Sequence, residues 1–354
     1  MSDVAEPGRI GVIILNWNGL ALTRACLHSL RTQTHRSFEI HLVDNGSAND
    51  EADTLRREFG DEIRMHAMAD NLGFAGGCNV ALEVLLQEGR CEFTALLNND
   101  TEVDPDWLAE LLAAAQEPCV GAVASCMRLF AQPELLDGAG VWLLSNGDSS
   151  PRGRLQPVDR WQQAEDVSSA CGGAVLLRCE MLREIGLFRT DFFANFEDMD
   201  LCLRATVAGY RIRYAPRASV RHHLNASIVR VRNHAFDVRS VRNATWATFV
   251  NLPWQVLLLN LPGFVVSNLA IIVLMPLAGR PGVSLAFLQG RLRALRELPA
   301  MLKERLRIAP LRRQSWWSMW RQQRSFVREY ASIVWRRIRS GRSTIMARSK
   351  PTAK

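Results

Sequence analysis

Acidic residues almost vanish from the last part of the chain. Residues 279–354 hold 3 Asp+Glu against 19 Lys+Arg, whereas residues 1–278 hold 33 against 24. The net charge of +7 therefore conceals an acidic body and a basic tail, which must meet different partners. Clustered cysteines are also missing. The eight (26, 78, 91, 119, 126, 171, 179, 202) include no Cys-x-x-Cys pair, and several sit in apolar runs such as "SACGGAVLL". That spacing excludes a metal-thiolate cluster or a disulfide framework and reads as reduced thiols in a cytoplasmic protein. The start, "MSDVAEPGR", lacks an apolar h-region, so no signal peptide is expected. There is no internal repeat, no Gly-x-Gly-x-x-Gly fingerprint and no Walker loop ending in Gly-Lys-Ser/Thr. What the 354 residues do have is 48% apolar content, enough to exclude a disordered chain and to build a large core.

Short apolar runs alternate with helical patterns. Strands are expected at 9–15, 38–44, near Ile63 and at 93–97, and helices at 21–33, about 48–59 and 76–87, with Asp104-Pro105 opening another. Near-continuous apolar strands between helices predict an α/β fold with a mostly parallel sheet, buried on both faces. Residues 145–168, rich in Ser, Gly, Pro, Arg and Asp, read as a flexible loop; 172–178 returns to strand and 197–209 is an amphipathic helix stopped by glycine.

The strands end in similar chemistry: Asn16-Trp17-Asn18-Gly19, Asp44-Asn45-Gly46-Ser47 and Asn98-Asn99-Asp100-Thr101. Any one is explained by turn preference. Three on the carboxyl edge of one parallel sheet, where ligands bind, point to a site. "NLGFAGGCN" (71–79) places three glycines before a helix, which suits either backbone approach to an anion or a tight turn. In "FFANFEDMDLCLR", Glu197, Asp198 and Asp200 follow three aromatic residues. They suit a helix dipole, and a carboxylate among apolar rings also becomes a better proton acceptor. His222 and His223 follow a strand and read as surface histidines or ligands.

In order, "VIILNWNG", "LVDNGS", "NLGFAGGCN", "LLNNDTEV", "GGAVLLR", "GLFRTDFFANFEDMDLCLR" and "AGYRIRYAPRASVRHH" resemble a family 2 glycosyltransferase with the GT-A fold, over residues 9–228. The details look most like rhamnosyltransferase-like members that build bacterial surface polysaccharides. The resemblance implies a nucleotide-sugar donor, dTDP-rhamnose, held by Asn16, Trp17, Asn18, Asp44, Asn71, Gly73, Gly76, Asn79, Asn98 and Asn99. Trp17 would lie against the base and Asp44 would hydrogen-bond it. Asp100, with His222, would bind Mg2+ or Mn2+ on the diphosphate. Asp198, beside Glu197, matches the general base of a single inverting displacement, and Gly172, Gly173 and Ala174 would lie near donor sugar and acceptor. One position departs: the first acidic residue of the metal motif is Asn98, which brings no charge. A non-catalytic tethered scaffold and a sugar nucleotidyltransferase are the alternatives. The second lacks its Gly/Arg/Lys-rich N-terminal loop in "ILNWNGLALTR".

Residues 246–278 contain no charge at all, long enough to cross a bilayer core of roughly 20 helical residues. Asn251, Asn260, Asn268, Pro253, Pro262, Gly263 and Pro276 interrupt them, and arginines 230, 232, 239, 242, 280, 291, 293 and 296 flank both ends. Two basic flanks predict a hairpin turning at Pro262-Gly263 or helices lying in the interface, ahead of one crossing helix or a buried core pair. Beyond Gly290, arginine mixed with Trp, Leu and Ile predicts basic amphipathic helices on an anionic membrane rather than on nucleic acid. The expected division is a catalytic domain over 1–243 and a helical membrane-association region over 244–354. The expected location is the cytoplasmic face of the bacterial inner membrane, with a lipid-linked saccharide as acceptor.

Overall fold

The computed structural model describes residues 5–223 and 232–340. Arg230 of the expected basic flank, and the tail beyond Ser340, lie outside the described residues.

Strands β1 (Glu6–Asn16), β2 (Phe38–Asn45), β3 (Arg64–Met68) and β4 (Cys91–Asn98) are parallel, in the order β3-β2-β1-β4. Their alternation splits the core. Ile10, Val12 and Ile14 face helices α1 (Leu20–Leu30) and α2 (Glu51–Phe59), while Ile13 faces α3 (Gly73–Glu88). Parallel register sets Asn16 opposite Asp44 and Leu15 opposite Asn98, so the polar strand ends share one edge, as expected.

The chain continues through β5 (Thr101–Val103), α4 (Trp107–Ala114), β6 (Val120–Leu129), β7 (Leu136–Gly138), β8 (Val141–Leu143) and β9 (Ser149–Pro151). After β10 (Ala174–Arg178), α5 (Cys179–Ile185), α6 (Glu197–Val207) and β11 (Arg211–His222), the sheet has nine strands. Its path is β3-β2-β1-β4-β10-β6-β11-β5, with β7 added on β6. β10 runs antiparallel to β4 and β6, and β5 antiparallel to β11; the rest of that path is parallel.

Two expectations change here. Helix α4 starts at Trp107 with Asp106, not Asp104, at its N-cap. Residues 145–168 are not a flexible loop, because they wrap a buried arginine. Arg152 is 1% exposed, its guanidinium carbon 4.5 Å from the Trp161 ring, 5.3 Å from Trp142 and 5.1 Å from Tyr214. It also pairs with Glu165 and donates to the Ala139 carbonyl. A desolvated cation caged by rings holds polar-rich chain in place.

The C-terminal helices are α7 (His234–Asn251), α8 (Trp254–Leu277), α9 (Pro281–Arg296), α10 (Leu298–Ile308), α11 (Trp316–Arg321) and α12 (Phe326–Ser340). They do not stand apart from the sheet. Met199, Leu203 and Val207 of α6 share a third core with Trp246, Val250, Val256, Ala294, Met301 and Met319. The expected break at 243/244 falls inside α7. Several arginines of the basic tail also serve this packing. Arg305 caps the C-terminal end of α7 through the Phe249 and Leu252 carbonyls, and Arg291 lies against Phe264 and Phe287 while bonding Asn268.

The hairpin expected at Pro262-Gly263 does not form; α8 runs straight through it. Proline there removes one backbone hydrogen bond, which a 24-residue helix tolerates. Gly263 is used for closeness, since a Cβ would lie 2.8 Å from the Phe326 ring and 3.3 Å from the Ser145 carbonyl.

Candidate active site

At the end of β1, Asn16 is a fully buried junction. Its Nδ2 donates to Asp44 Oδ1 (2.7 Å), Ser47 Oγ (3.1 Å) and Glu51 Oε2 (3.0 Å), and its Oδ1 accepts from Thr23 Oγ1 at 2.6 Å. All its capacity is spent inside the protein. Asn16 therefore fixes Asp44 rather than meeting a donor, a correction to its expected role. Asp44 takes a second bond from the Ser47 amide (3.1 Å), and the neighbouring Trp17 remains half-buried. Asn18 has a left-handed backbone (φ 50°), and its Oδ1 accepts from the Ala48 amide, closing the two strand-end loops on each other.

The glycine segment is held from β2. Asn45 Nδ2 donates to Asn71 Oδ1 and to the Gly73 carbonyl, both at 3.1 Å, while its Oδ1 accepts from the Leu72 amide at 2.9 Å. Asn71 caps the turn by accepting from the Gly73 amide at 2.8 Å. Gly73 must be glycine: its φ is 73° and a Cβ would lie 2.5 Å from the Phe193 carbonyl. Gly76 lies one turn into α3, against Leu72. Asn79 departs from expectation. Both its polar atoms bind the Phe188 backbone (2.9 and 3.2 Å), so it ties α3 to the segment before α6 instead of lining a donor pocket.

Strand β4 delivers Asn98, Asn99 and Asp100. Asn98 receives its backbone partner from Gly173 (2.8 Å), which brings β10 and the Gly172-Gly173-Ala174 run to the same edge. Asn99 Nδ2 donates to Thr23 Oγ1 at 3.0 Å and is buried. Asp100 faces β11: its Oδ1 lies 3.3 Å from His222 Nε2, and His222 Nδ1 lies 2.8 Å from Asp137 Oδ2. Burial lowers the imidazole's affinity for a proton, but the two flanking carboxylates outweigh it and raise its pKa to about 9.

The pair fits a hard divalent cation. A carboxylate and an imidazole converge, with a second carboxylate, Asp137, orienting the far ring nitrogen as outer partners of metal-bound histidines do. Among the described residues no group of three or more His, Cys, Asp or Glu gathers as a metal site. Donor phosphates and water would have to supply the other ligands. Asn98, uncharged, adds no carboxylate.

Helix α6 presents the acids. Asp198 Oδ2 accepts from the Gly172 amide at 2.9 Å, and Oδ1 from the Met199 amide at 2.7 Å. Burial raises the Asp198 pKa against the pull of those N–H groups. Glu197 is buried with Oε2 unpartnered, and burial followed by the Asp198 charge carries its pKa well above the usual carboxylate range. Asp200 differs in its partners: a buried cation, Arg204 Nε (2.9 Å), pairs with one oxygen and Asn251 Nδ2 (2.9 Å) donates to the other.

Sequence reasoning missed Thr23, Glu51, Asp137 and Asn243, each separated by many residues from the motif it supports. Asn45 stood in a noted turn, but its alternation on β2 into the Asn71 segment is a tertiary property.

Residues 11–186 match the family described as glycosyl transferase family 2. An uncharacterized protein of Sinorhizobium fredii is 30% identical over 62% of this chain and 25% of its own length. An O-antigen biosynthesis protein of Myxococcus xanthus is 33% identical over 58% of this chain and 16% of its own. The chain thus spans a quarter or less of those two relatives. The N-acetylglucosaminyl-diphospho-decaprenol L-rhamnosyltransferase of Mycobacterium tuberculosis is 26% identical over 56% of this chain and 70% of that protein. In fold, a mannosyltransferase from Pyrobaculum calidifontis, solved with GDP-Man and Mn2+, superposes with TM-score 0.51 at 16% identity, covering 83% of this chain and 90% of its own. A GalNAc transferase with UDP, GalNAc and Mn2+ gives TM-score 0.54 at 15% identity, covering 71% and 48%. With motif, sheet order and acid pair in agreement, the chain belongs to glycosyl transferase family 2, with a GT-A fold.

Proposed function

We propose that this chain transfers rhamnose from dTDP-rhamnose to a lipid-linked saccharide, inverting the anomeric centre, in the assembly of a bacterial surface polysaccharide. The observation that carries the reading is the Gly172–Asp198 bond. It holds a desolvated carboxylate beside β10, the strand that also binds Asn98 next to Asp100. Asp198 takes the proton from the acceptor hydroxyl as that oxygen attacks the sugar. Burial keeps the base proton-hungry, with Glu197 buried alongside. Asp44, steadied by Asn16, receives the base's N–H, and Trp17 lies against its ring. The Asn71–Gly73 turn approaches ribose and sugar. Asp100 and His222 would hold Mg2+ or Mn2+, which neutralises charge on the departing diphosphate. Rhamnose and a diphosphate-linked lipid acceptor are supported by the likeness to the mycobacterial N-acetylglucosaminyl-diphospho-decaprenol L-rhamnosyltransferase.

Membrane attachment belongs to the same proposal. α8 is 24 residues long; its most apolar 18-residue window has mean hydropathy 2.2, and only 17% of that window is buried. Its inner side carries Val256, Asn260, Gly263 and Asn268, packed on the protein, while Leu258, Leu261, Val265, Leu269 and Val273 stay exposed or nearly so. A helix apolar on its free side and polar on its packed side fits lying in the cytoplasmic interface. Nucleotide sugars should be screened for metal-dependent protection against unfolding, followed by transfer to a prenyl-diphosphate saccharide. Protection by dTDP-rhamnose with Mn2+ or Mg2+, plus transfer, is expected. Protection by another nucleotide sugar alone would replace the donor, and metal-independent binding would remove the Asp100 role.

A further inference from the structure

The segment leading into Glu197 is held in a backbone that side chains disfavour. Phe193 (φ 61°), Asn195 (φ 72°) and Phe196 (φ 68°) are all left-handed. Such residues persist only where their surroundings over-determine them, and they gather at functional positions. Here the surroundings are α7. Buried Asn243 donates through Nδ2 to the carbonyls of Phe192 (2.9 Å), Ala194 (3.3 Å) and Asn195 (2.9 Å), and Asn195 Nδ2 donates to Ser240 Oγ at 2.9 Å.

This arrangement fixes the position of one ring. Phe193 packs on Gly73, where a Cβ would lie 2.6 Å from its Cγ and Cδ2, and its carbonyl accepts from the Ala75 amide at 3.1 Å. Over the same ring lies Arg239, its guanidinium carbon 4.6 Å from the centroid. Neighbouring arginines are neutralised: Arg232, just before α7, by Asp237, and Arg242 on α7 by Asp191 and Glu297. Among the described residues Arg239 has no carboxylate or carbonyl partner. A guanidinium held over a ring by cation–π attraction still has an N–H fork to offer, and that fork matches phosphate.

We propose that Arg239, lying over Phe193, binds the phosphate of the lipid-borne acceptor beside Asp198. The inference rests on the acceptor class proposed above. The donor's diphosphate belongs at Asp100 and His222 on the β4–β5 turn and β11, whereas Arg239 stands on the helix that pins the base segment. That helix also meets the apolar pair. α9 crosses α7 at Gly290, where a Cβ would lie 2.7 Å from the Val238 carbonyl, one residue from Arg239. On its opposite, free face α9 exposes Leu285, Leu288 and Leu292, an apolar surface on the helix packed against the one that bears Arg239.

The test compares a saccharide on a short prenyl diphosphate with the same saccharide as a neutral alkyl glycoside, in wild type, R239Q and R239K. Wild type should prefer the diphosphate acceptor. R239Q should raise the KM for it by about 10- to 100-fold, the loss of a charge-assisted hydrogen-bond pair, and so erase the preference. R239K should recover part of it, because lysine keeps the charge and not the fork. The donor dissociation constant and melting temperature, measured alongside, should stay where they were. An equal KM rise on both acceptors would make Arg239 structural, and a weakened donor would assign the guanidinium to the donor phosphates; either overturns the proposal. Indifference of R239Q on a diphosphate acceptor that wild type uses overturns it alone. Failure of wild type to use that acceptor at all removes the acceptor reading, and this proposal with it.

Discussion

The Gly172 amide donates to Asp198 Oδ2 at 2.9 Å, joining the acid of α6 to the glycine run that precedes β10. One oxygen is thereby oriented while burial keeps its proton affinity high. Asp198→Asn preserves shape and removes the proton acceptor. Turnover should fall about 10²–10⁴-fold with donor affinity retained, measured by steady-state kinetics and donor titration. Near-normal turnover would move the role to Glu197, since Asp200 is already paired.

The acid pair also sets a pH dependence of stability. Both folded pKa values are raised, by burial first and, for Glu197, by the Asp198 charge next. Folding therefore takes up protons here. The stabilisation is complete below the unfolded carboxylate pKa values and is lost as pH rises through the folded ones. Glu197→Gln cannot ionise. Its stability relative to wild type should increase in denaturant titrations as pH rises above the unfolded carboxylate pKa and through the raised folded one. A flat or falling difference would show that Glu197 is neither desolvated nor coupled.

Asp137 grips His222 Nδ1 at 2.8 Å and so aims Nε2 toward Asp100. Asp137→Asn should weaken binding of Mn2+ by about 10–100-fold, read by titration of the metal with nucleotide diphosphate present. Asp100→Ala should abolish the metal dependence of nucleotide binding. Unchanged Mn2+ affinity in both would place the cation elsewhere.

A chain ending at Asn243 should fail to fold. It would lose Trp246, Val250 and Asn251, leaving the third core open and Asp200 Oδ1 without its 2.9 Å partner. In the full chain, Asn251→Ala alone should cost about 1–3 kcal/mol, since a buried carboxylate oxygen goes unsatisfied. Soluble yield and urea melts decide both. A stable, nucleotide-binding short chain would restore the division at 243/244.

Residues carried a good deal of this without coordinates. Apolar runs of five to eight residues ending in Asn, Asp and Gly mark buried parallel strands, and such strands open at a common edge, so Asp44, Asn98 and Asp100 were readable as one site. The ordered motifs carried the family in the same way. Charge and hydropathy along the tail showed helices with apolar and basic faces. What a linear pattern cannot record is which group spends its hydrogen bonds on which. Asn16, Asn79 and Asp200 look like site residues in sequence, yet partners 4 to 109 positions away consume their capacity. Asp137 and Asn243 look like nothing and hold the metal-side histidine and the base segment. The same reason puts the 243/244 break inside a helix. Uncharged residues 246–278 read as one membrane segment, but only packing against α6 determines that α7 closes the catalytic core while α8 keeps its apolar side free. Local pattern sets element type and polarity; satisfaction and burial are properties of the assembled chain.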